Sequence, residues 1–184
     1  TGHMEASALT SLADILGTIT TECKPIHDYT PSEAYDTYKA HIVRNICESL
    51  AMDPKSVKTL TDLGCGTGEL TTLMASEFSD SEIVGVDLSP NYLSQAVYKS
   101  FDGNVTYVHD NMERVELDCL QDVITVCYAF HEMPVTAIKN TLRNAYKWLQ
   151  PDGGQLIVVD MNPEKLPKYP AFIDLSEPHL REYR

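Results

Sequence analysis

The stretch Thr59-Leu60-Thr61-Asp62-Leu63-Gly64-Cys65-Gly66-Thr67-Gly68-Glu69 constrains the fold more than any other part of the chain. A short apolar run carries an acid near its end, glycine then takes alternate positions, and a helical pattern begins at once. A strand turning this sharply into a helix needs residues that tolerate positive φ and let backbone approach a ligand, which glycine does. The amides opening the next helix, at the positive end of its dipole, suit a carboxylate or phosphate. The spacing departs from the dinucleotide fingerprint G-x-G-x-x-G, because Glu69 stands where the last glycine of that pattern would be. A carboxylate at Asp62 suits an ammonium or hydroxyl better than a pyrophosphate.

Four more apolar runs follow. Glu82-Ile83-Val84-Gly85-Val86-Asp87 ends in an acid, one helix plus one strand beyond Gly68, as in a βαβ step. Leu88-Ser89-Pro90 then offers Ser89 as a helix N-cap and Pro90 as first helical residue. Val105-Thr106-Tyr107-Val108-His109-Asp110 again ends in an acid. The continuously apolar run 122–128 suits a strand covered on both faces. Residues 155–160 form the fifth run, after Trp148-Leu149-Gln150-Pro151-Asp152-Gly153-Gly154. Acids at the carboxyl ends of parallel strands lie where ligands bind in open α/β sheets. Helices are expected over 6–19, 31–51, 69–78, 90–101 and 134–149, with a weak turn near 112–115. Thr30 would cap the helix that Pro31 begins, and Glu33 lies near its positive end. Strands alternating with helices imply a parallel sheet with right-handed crossovers.

The segment Asp62-Leu63-Gly64-Cys65-Gly66-Thr67-Gly68 resembles the first motif of the class I S-adenosylmethionine (SAM)-dependent methyltransferases. The resemblance extends over roughly residues 59–160. It implies a Rossmann-like doubly wound sheet of about five parallel strands, helices on both faces and an N-terminal helical lid. The expected division is a tag remnant at 1–4, a lid over 5–55, a SAM-binding core over 56–162 and a short extension over 163–184. The family's usual closing strand pair is not expected in that extension, where 171–184 reads at best as a short helix, and the fifth strand would then be an open edge able to pair with a second copy.

The same resemblance assigns ligand roles. Asp62, Gly64, Cys65, Gly66 and Gly68 would hold the methionine part of SAM, Asp87 with Leu88 the ribose, and Asp110, Asn111 and Met112 the adenine. Tyr128 and Phe130 could face the sulfonium by cation–π contact, although near neighbours alternate faces and one of the two belongs to the core. His131, just past the fourth run, is the candidate general base where the acceptor must lose a proton; Glu132 is read as a helix cap or a solvated side chain. Tyr35, Tyr38 and Lys39 sit on adjacent turns of the lid helix, Tyr35 and Lys39 sharing a face. With Phe130 and His131 they are the acceptor candidates, followed by His27 and Tyr29. His41 and His109 read as structural.

Composition narrows the partner. The 184-residue chain carries a net charge of −13 with 14 Lys and Arg, which argues against nucleic acid as acceptor. No apolar stretch approaches the length of a membrane span. Cys23, Cys47, Cys65, Cys119 and Cys127 form no CxxC pair, which favours a reduced, cytoplasmic setting over a disulfide scaffold. No metal site is expected. The reading is therefore a methyltransferase acting on a small molecule. Two alternatives stay open: a SAM-binding module without catalysis, and a nicotinamide-dependent oxidoreductase on the same general sheet.

Overall fold

In the computed structural model, residues 31–100 and 103–160 are described, with backbone alone at 31–38. The expected helix over 6–19, His27, Tyr29, the cap at Thr30 and the extension over 163–184 lie outside the described residues. So do the side chains of Tyr35 and Tyr38, whose backbone is helical.

Helix α1 (Pro31–Ser49) leads through a 3-10 turn (Pro54–Ser56) into β1 (Thr59–Leu63). Then come α2 (Glu69–Glu77), β2 (Glu82–Asp87), α3 (Pro90–Lys99), β3 (Val105–His109) and β4 (Val123–Cys127). A second 3-10 turn (Phe130–Glu132), α4 (Val135–Trp148) and β5 (Gln155–Val159) complete the series. All four helices stop short of their expected ends, α1 at Ser49, α2 at Glu77, α3 at Lys99 and α4 at Trp148. The segment expected to form a weak turn does so, with the amides of Arg114 and Val115 bonded to the Asn111 carbonyl. The start of α3 follows from its sequence: Ser89 accepts a bond from the Tyr92 amide and Pro90 occupies the first turn. Pro134 takes the N-cap position of α4 without a side-chain bond, so Glu132 does not cap that helix.

The five strands form one parallel sheet in the order β3-β2-β1-β4-β5. The chain runs outward from β1 through β2 to β3, then returns to β4 on the other side of β1. This reversal creates a crevice between the carboxyl ends of β1 and β4, where such sheets bind ligands. β5 forms one border of the sheet among the described residues.

Each face of the sheet has its own apolar cluster, as a parallel sheet requires. On one face Leu60, Ile83, Val123 and Val159 pack with Ile42, Val43 and Ile46 of α1, Met74 and Ala75 of α2, and Phe78 at the C-cap of α2. On the other, Leu63, Val86, Ile124, Val126 and Val158 pack with Phe130 and with Ala145, Ile138 and Leu142 of α4. β4 is buried along its whole length, which explains its unbroken apolar run. α1 is thereby seated on the same face as α2, beside the crevice.

Candidate active site

The glycine loop is pinned from below. The amides of Gly64 and Cys65 both donate to the Val86 carbonyl, at 2.7 and 3.0 Å, and the Gly66 amide donates to Asp87 Oδ2 at 2.8 Å. Gly64, Gly66 and Gly68 all have positive φ. Gly66 needs glycine for its φ of +56°, while a Cβ there would meet nothing within 4 Å, so the space in front of it is open. Gly68 needs glycine for packing as well. A Cβ would lie 2.4 Å from Tyr107 Oη and 2.8 Å from Ala96 Cβ. Gly68 opens α2 and, having no side chain, contributes no side-chain cap to it.

A cavity of about 310 Å³ lies over this loop, bounded by Lys39 and Ile42 of α1, Asp62, the loop from Gly64 to Thr67, Glu69, Leu70, Cys127 and Tyr128. Its size is that of small-ligand pockets, which run from about 300 to 1,000 Å³.

Asp62 lies on the floor of the cavity and is 2% exposed. Thr71 donates to its Oδ2 at 2.6 Å and Thr125 to its Oδ1 at 2.8 Å. Burial raises its pKa above the ordinary carboxylate range, the two threonine bonds pull it back, and the field of Asp87 adds to the rise. Burial also pushes the thiols of Cys65 and Cys127 up, helped by neighbouring aspartates, so both present neutral walls.

Across the mouth, Glu69 is held between two lysines. Lys39 of α1 forms an ion pair with Glu69 Oε2, and Lys99 of α3 bonds Oε1 at 2.9 Å. The bond from Lys39, then that from Lys99 with both charges, holds the Glu69 carboxyl down at about 2 against the opposing cost of burial. Lys39 is itself 9% exposed. The sequence pattern singled out Glu69 only for not being glycine; its part as the clamp between three helices depends on residues 30 positions away on either side.

The other expected site residues divide. Asp87 sits beside the loop, its Oδ1 accepting from the Ser89 amide at 2.8 Å and its Oδ2 from Gly66; each oxygen keeps a second lone pair. Leu88 is exposed. Asp110 caps the Asn111 amide at 2.7 Å, Asn111 caps Glu113, and the Met112 methyl lies 3.0 Å from the position of a Cβ on Gly64. Asp87, Asp110 and Asn111 stand outside the cavity lining, on the rim formed by β2 and β3. Tyr128 lines the cavity and is the one non-glycine residue with positive φ among the described residues, at +53°. Such strain costs about 1–3 kcal/mol and clusters at functional sites. Phe130 is 7% exposed, packed in the α4-side cluster and outside the cavity lining. His131 is bonded to Asp160. His109 bonds the Leu88 carbonyl, in line with a structural role.

Residues 60–153, half of the chain, match the family model described as "Methyltransferase domain". The chain belongs to the class I SAM-dependent methyltransferases. SAM is the cofactor of that family. A malonyl-[acyl-carrier protein] O-methyltransferase from Acetivibrio thermocellus is 28% identical over 92 residues, 50% of this chain and 32% of that protein. A trans-aconitate 2-methyltransferase from Methylobacterium radiotolerans is 39% identical over 70 residues, 38% of this chain and 26% of the relative. The chain thus spans between about a quarter and a third of the length of these two curated relatives. The N-methyltransferase NodS from Bradyrhizobium japonicum superposes with a TM-score of 0.60 at 16% identity, over 79% of this chain and 75% of NodS. At that identity the likeness establishes the methyltransferase fold alone. The cavity fits the family's cofactor in kind: the space before Gly66 is open, Gly68 contributes no side-chain cap to α2, and Lys39 and the acids supply both signs of charge. No helix among the described residues is long and apolar enough to cross a membrane.

Proposed function

We propose that this chain transfers the methyl group of SAM to a small-molecule acceptor. The observation that carries the reading is the cavity at the β1–β4 crevice, roofed by α1 and floored by the glycine loop, in a chain whose family uses SAM. When bound, SAM supplies a methyl on a sulfonium, already activated for in-line displacement. The chain's own task is then to position two reactants, and orientation alone is worth about 7–11 kcal/mol in favourable cases.

Asp62, Gly64, Cys65, Gly66 and Gly68 would hold the methionine part, with the α2 amides and Lys39 beside its carboxylate. Asp87 and Leu88 would take the ribose, and Asp110, Asn111 and Met112 the adenine. Tyr128 would stand near the sulfonium and His131 would serve as base. Tyr35, Tyr38 and Lys39 are the acceptor candidates on the lid. The charge of −13 favours a small neutral or cationic acceptor over nucleic acid. A cytoplasmic setting fits the four free cysteines among the described residues. A homodimer through the β5 border rests on that strand's pairing with β4 alone among the described residues, and sedimentation velocity tests it.

Calorimetric titration with SAM and S-adenosylhomocysteine, with NAD as control, tests the reading. Micromolar binding of the first two is expected. Binding of NAD in their place moves the chain to the oxidoreductases. SAM binding without turnover on any acceptor makes it a non-catalytic binding module.

A further inference from the structure

Asp160, the residue that follows β5, grips His131 by two hydrogen bonds. His131 Nδ1 lies 2.7 Å from Asp160 Oδ1, and the His131 backbone amide donates to Asp160 Oδ2 at 3.1 Å. The two side chains are 10% and 8% exposed. A carboxylate can only accept, so Nδ1 carries a proton in this pair. Neutral His131 therefore holds its lone pair on Nε2. Glu132 Oε1 lies 3.7 Å from Nε2, beyond hydrogen-bond reach.

The pair lies outside the cavity lining, next in the chain and in the sheet to residues that bound it. Cys127 and Val159 are register partners at the ends of β4 and β5, and the Tyr128 amide donates to the Val159 carbonyl at 2.7 Å. Cys127 and Tyr128 line the cavity. The left-handed backbone at Tyr128 turns the chain there, and the 3-10 turn that follows brings His131 onto the end of β5.

We propose that Asp160 is the positioning residue for His131 as general base, and that the acceptor is an amine or hydroxyl that has to lose a proton, not a carboxylate. The inference rests on the methyl-transfer reading and narrows its substrate class. Two arguments carry it. A carboxylate acceptor is already ionised at neutral pH and offers an oriented imidazole nothing to remove. Asp160 Oδ1 at 2.7 Å and Glu132 Oε1 at 3.7 Å also set carboxylates on two sides of the ring, a setting that disfavours an anionic acceptor. Cys127, a titratable neighbour of Asp160 on β4, is held neutral by burial. In the step, the O–H proton of a hydroxyl acceptor, or an N–H proton of an amine held as its ammonium, passes to Nε2. The electron pair left on nitrogen or oxygen bonds the methyl carbon, the methyl–sulfur bond breaks with its pair kept by sulfur, and the imidazolium later gives its proton to water.

Asp160→Asn is the informative variant. The His131 amide can only donate, so the new side chain must keep its oxygen there, which sets its NH₂ against Nδ1. Nδ1 must then accept, and the proton moves to Nε2, the wrong tautomer for a base. Long-range ¹H–¹⁵N correlation on the full chain labelled with ¹⁵N-histidine reads this directly, with His131→Gln to assign the ring. This readout needs neither cofactor nor acceptor. The native chain should show the Nδ1–H tautomer and Asp160→Asn the Nε2–H tautomer. A native Nε2–H ring, or a ring unchanged by the substitution, overturns the pairing even where SAM binds. The native measurement stands even where the variant does not fold. With acceptors, Asp160→Asn should lower kcat by about 10²-fold or more, within the range of general-base effects, while KM for SAM moves by less than about twofold. Its rate should recover with rising pH as the acceptor ionises unaided, and Asp160→Glu should restore part of it. Amines or hydroxyls should turn over in preference to carboxylates; a panel in which carboxylates alone react, or nothing reacts, overturns the acceptor class. The expected tautomers in a chain that fails to bind SAM would instead overturn the methyl-transfer reading.

Discussion

Replacing Gly68 by alanine should destabilise the fold well beyond the same change at Gly66, although both glycines have positive φ. At Gly66 the methyl group enters open space, so the cost is the left-handed backbone alone, about 1–2 kcal/mol. At Gly68 the same backbone cost applies at φ +73°, and the methyl group also meets Tyr107 Oη at 2.4 Å and Ala96 Cβ at 2.8 Å. Overpacking of that kind adds about 1–3 kcal/mol. Loss of unfolded-state entropy offsets about 0.4–1 kcal/mol in both variants and cancels in the comparison. With a urea slope of about 2 kcal/mol/M, Gly68→Ala should unfold about 0.5–1.5 M earlier than Gly66→Ala.

SAM affinity should follow the opposite order, because Gly66 lines the cavity and Gly68 does not. Tyr107→Phe supplies the internal check. It removes the atom nearest the new methyl group, so the cost of Gly68→Ala should fall in that background, with a coupling of about 0.5 kcal/mol or more in a double-mutant cycle. Equal urea midpoints for the two glycine variants, or strict additivity with Tyr107→Phe, would refute the packing explanation.

Three further outcomes follow from the site. Asp87→Ala should weaken SAM binding by about 1–3 kcal/mol in calorimetry, the range for leaving a hydrogen-bonding partner unsatisfied, and unchanged affinity would sink the ribose assignment. Glu69 has its carboxyl depressed to about 2, so it adds stability that is complete above the unfolded value of 4.5 and drains as pH falls toward 2. Glu69→Gln should remove that pH dependence; with 34% of the side chain exposed, its size is that of a screened pair, about 1 kcal/mol, read from urea midpoints between pH 5 and 2. Asp62 is shifted the other way, so its charged form opposes folding above the unfolded carboxylate pKa, and Asp62→Asn should raise the urea midpoint at pH 7 while weakening SAM binding.

What could be read along the chain was what the chain settles locally. Ser89-Pro90 starts α3 because both act within one turn, and the β4 run is apolar because both faces of that strand are covered. The glycine loop was legible for the same reason: positive φ is a property of single residues. The acids were legible as positions and not as roles. Asp62, expected to offer a carboxylate to a ligand, also accepts one bond on each oxygen from Thr71 and Thr125, the second of which is 63 residues away. Tyr128 and Phe130 are equivalent as aromatic side chains. The left-handed backbone at Tyr128 and the α4 surface against Phe130 separate them, and neither is a local property. Asp160 shows the same limit from the other side. It ends its run as Asp87 and Asp110 end theirs, yet it answers to a histidine 29 residues earlier, because the sheet order sets β5 beside β4. In an open parallel sheet, therefore, an acid at a strand end marks the ligand edge. Which acid meets ligand and which meets protein depends on the hydroxyl, amide or imidazole that the neighbouring strand or helix brings opposite it.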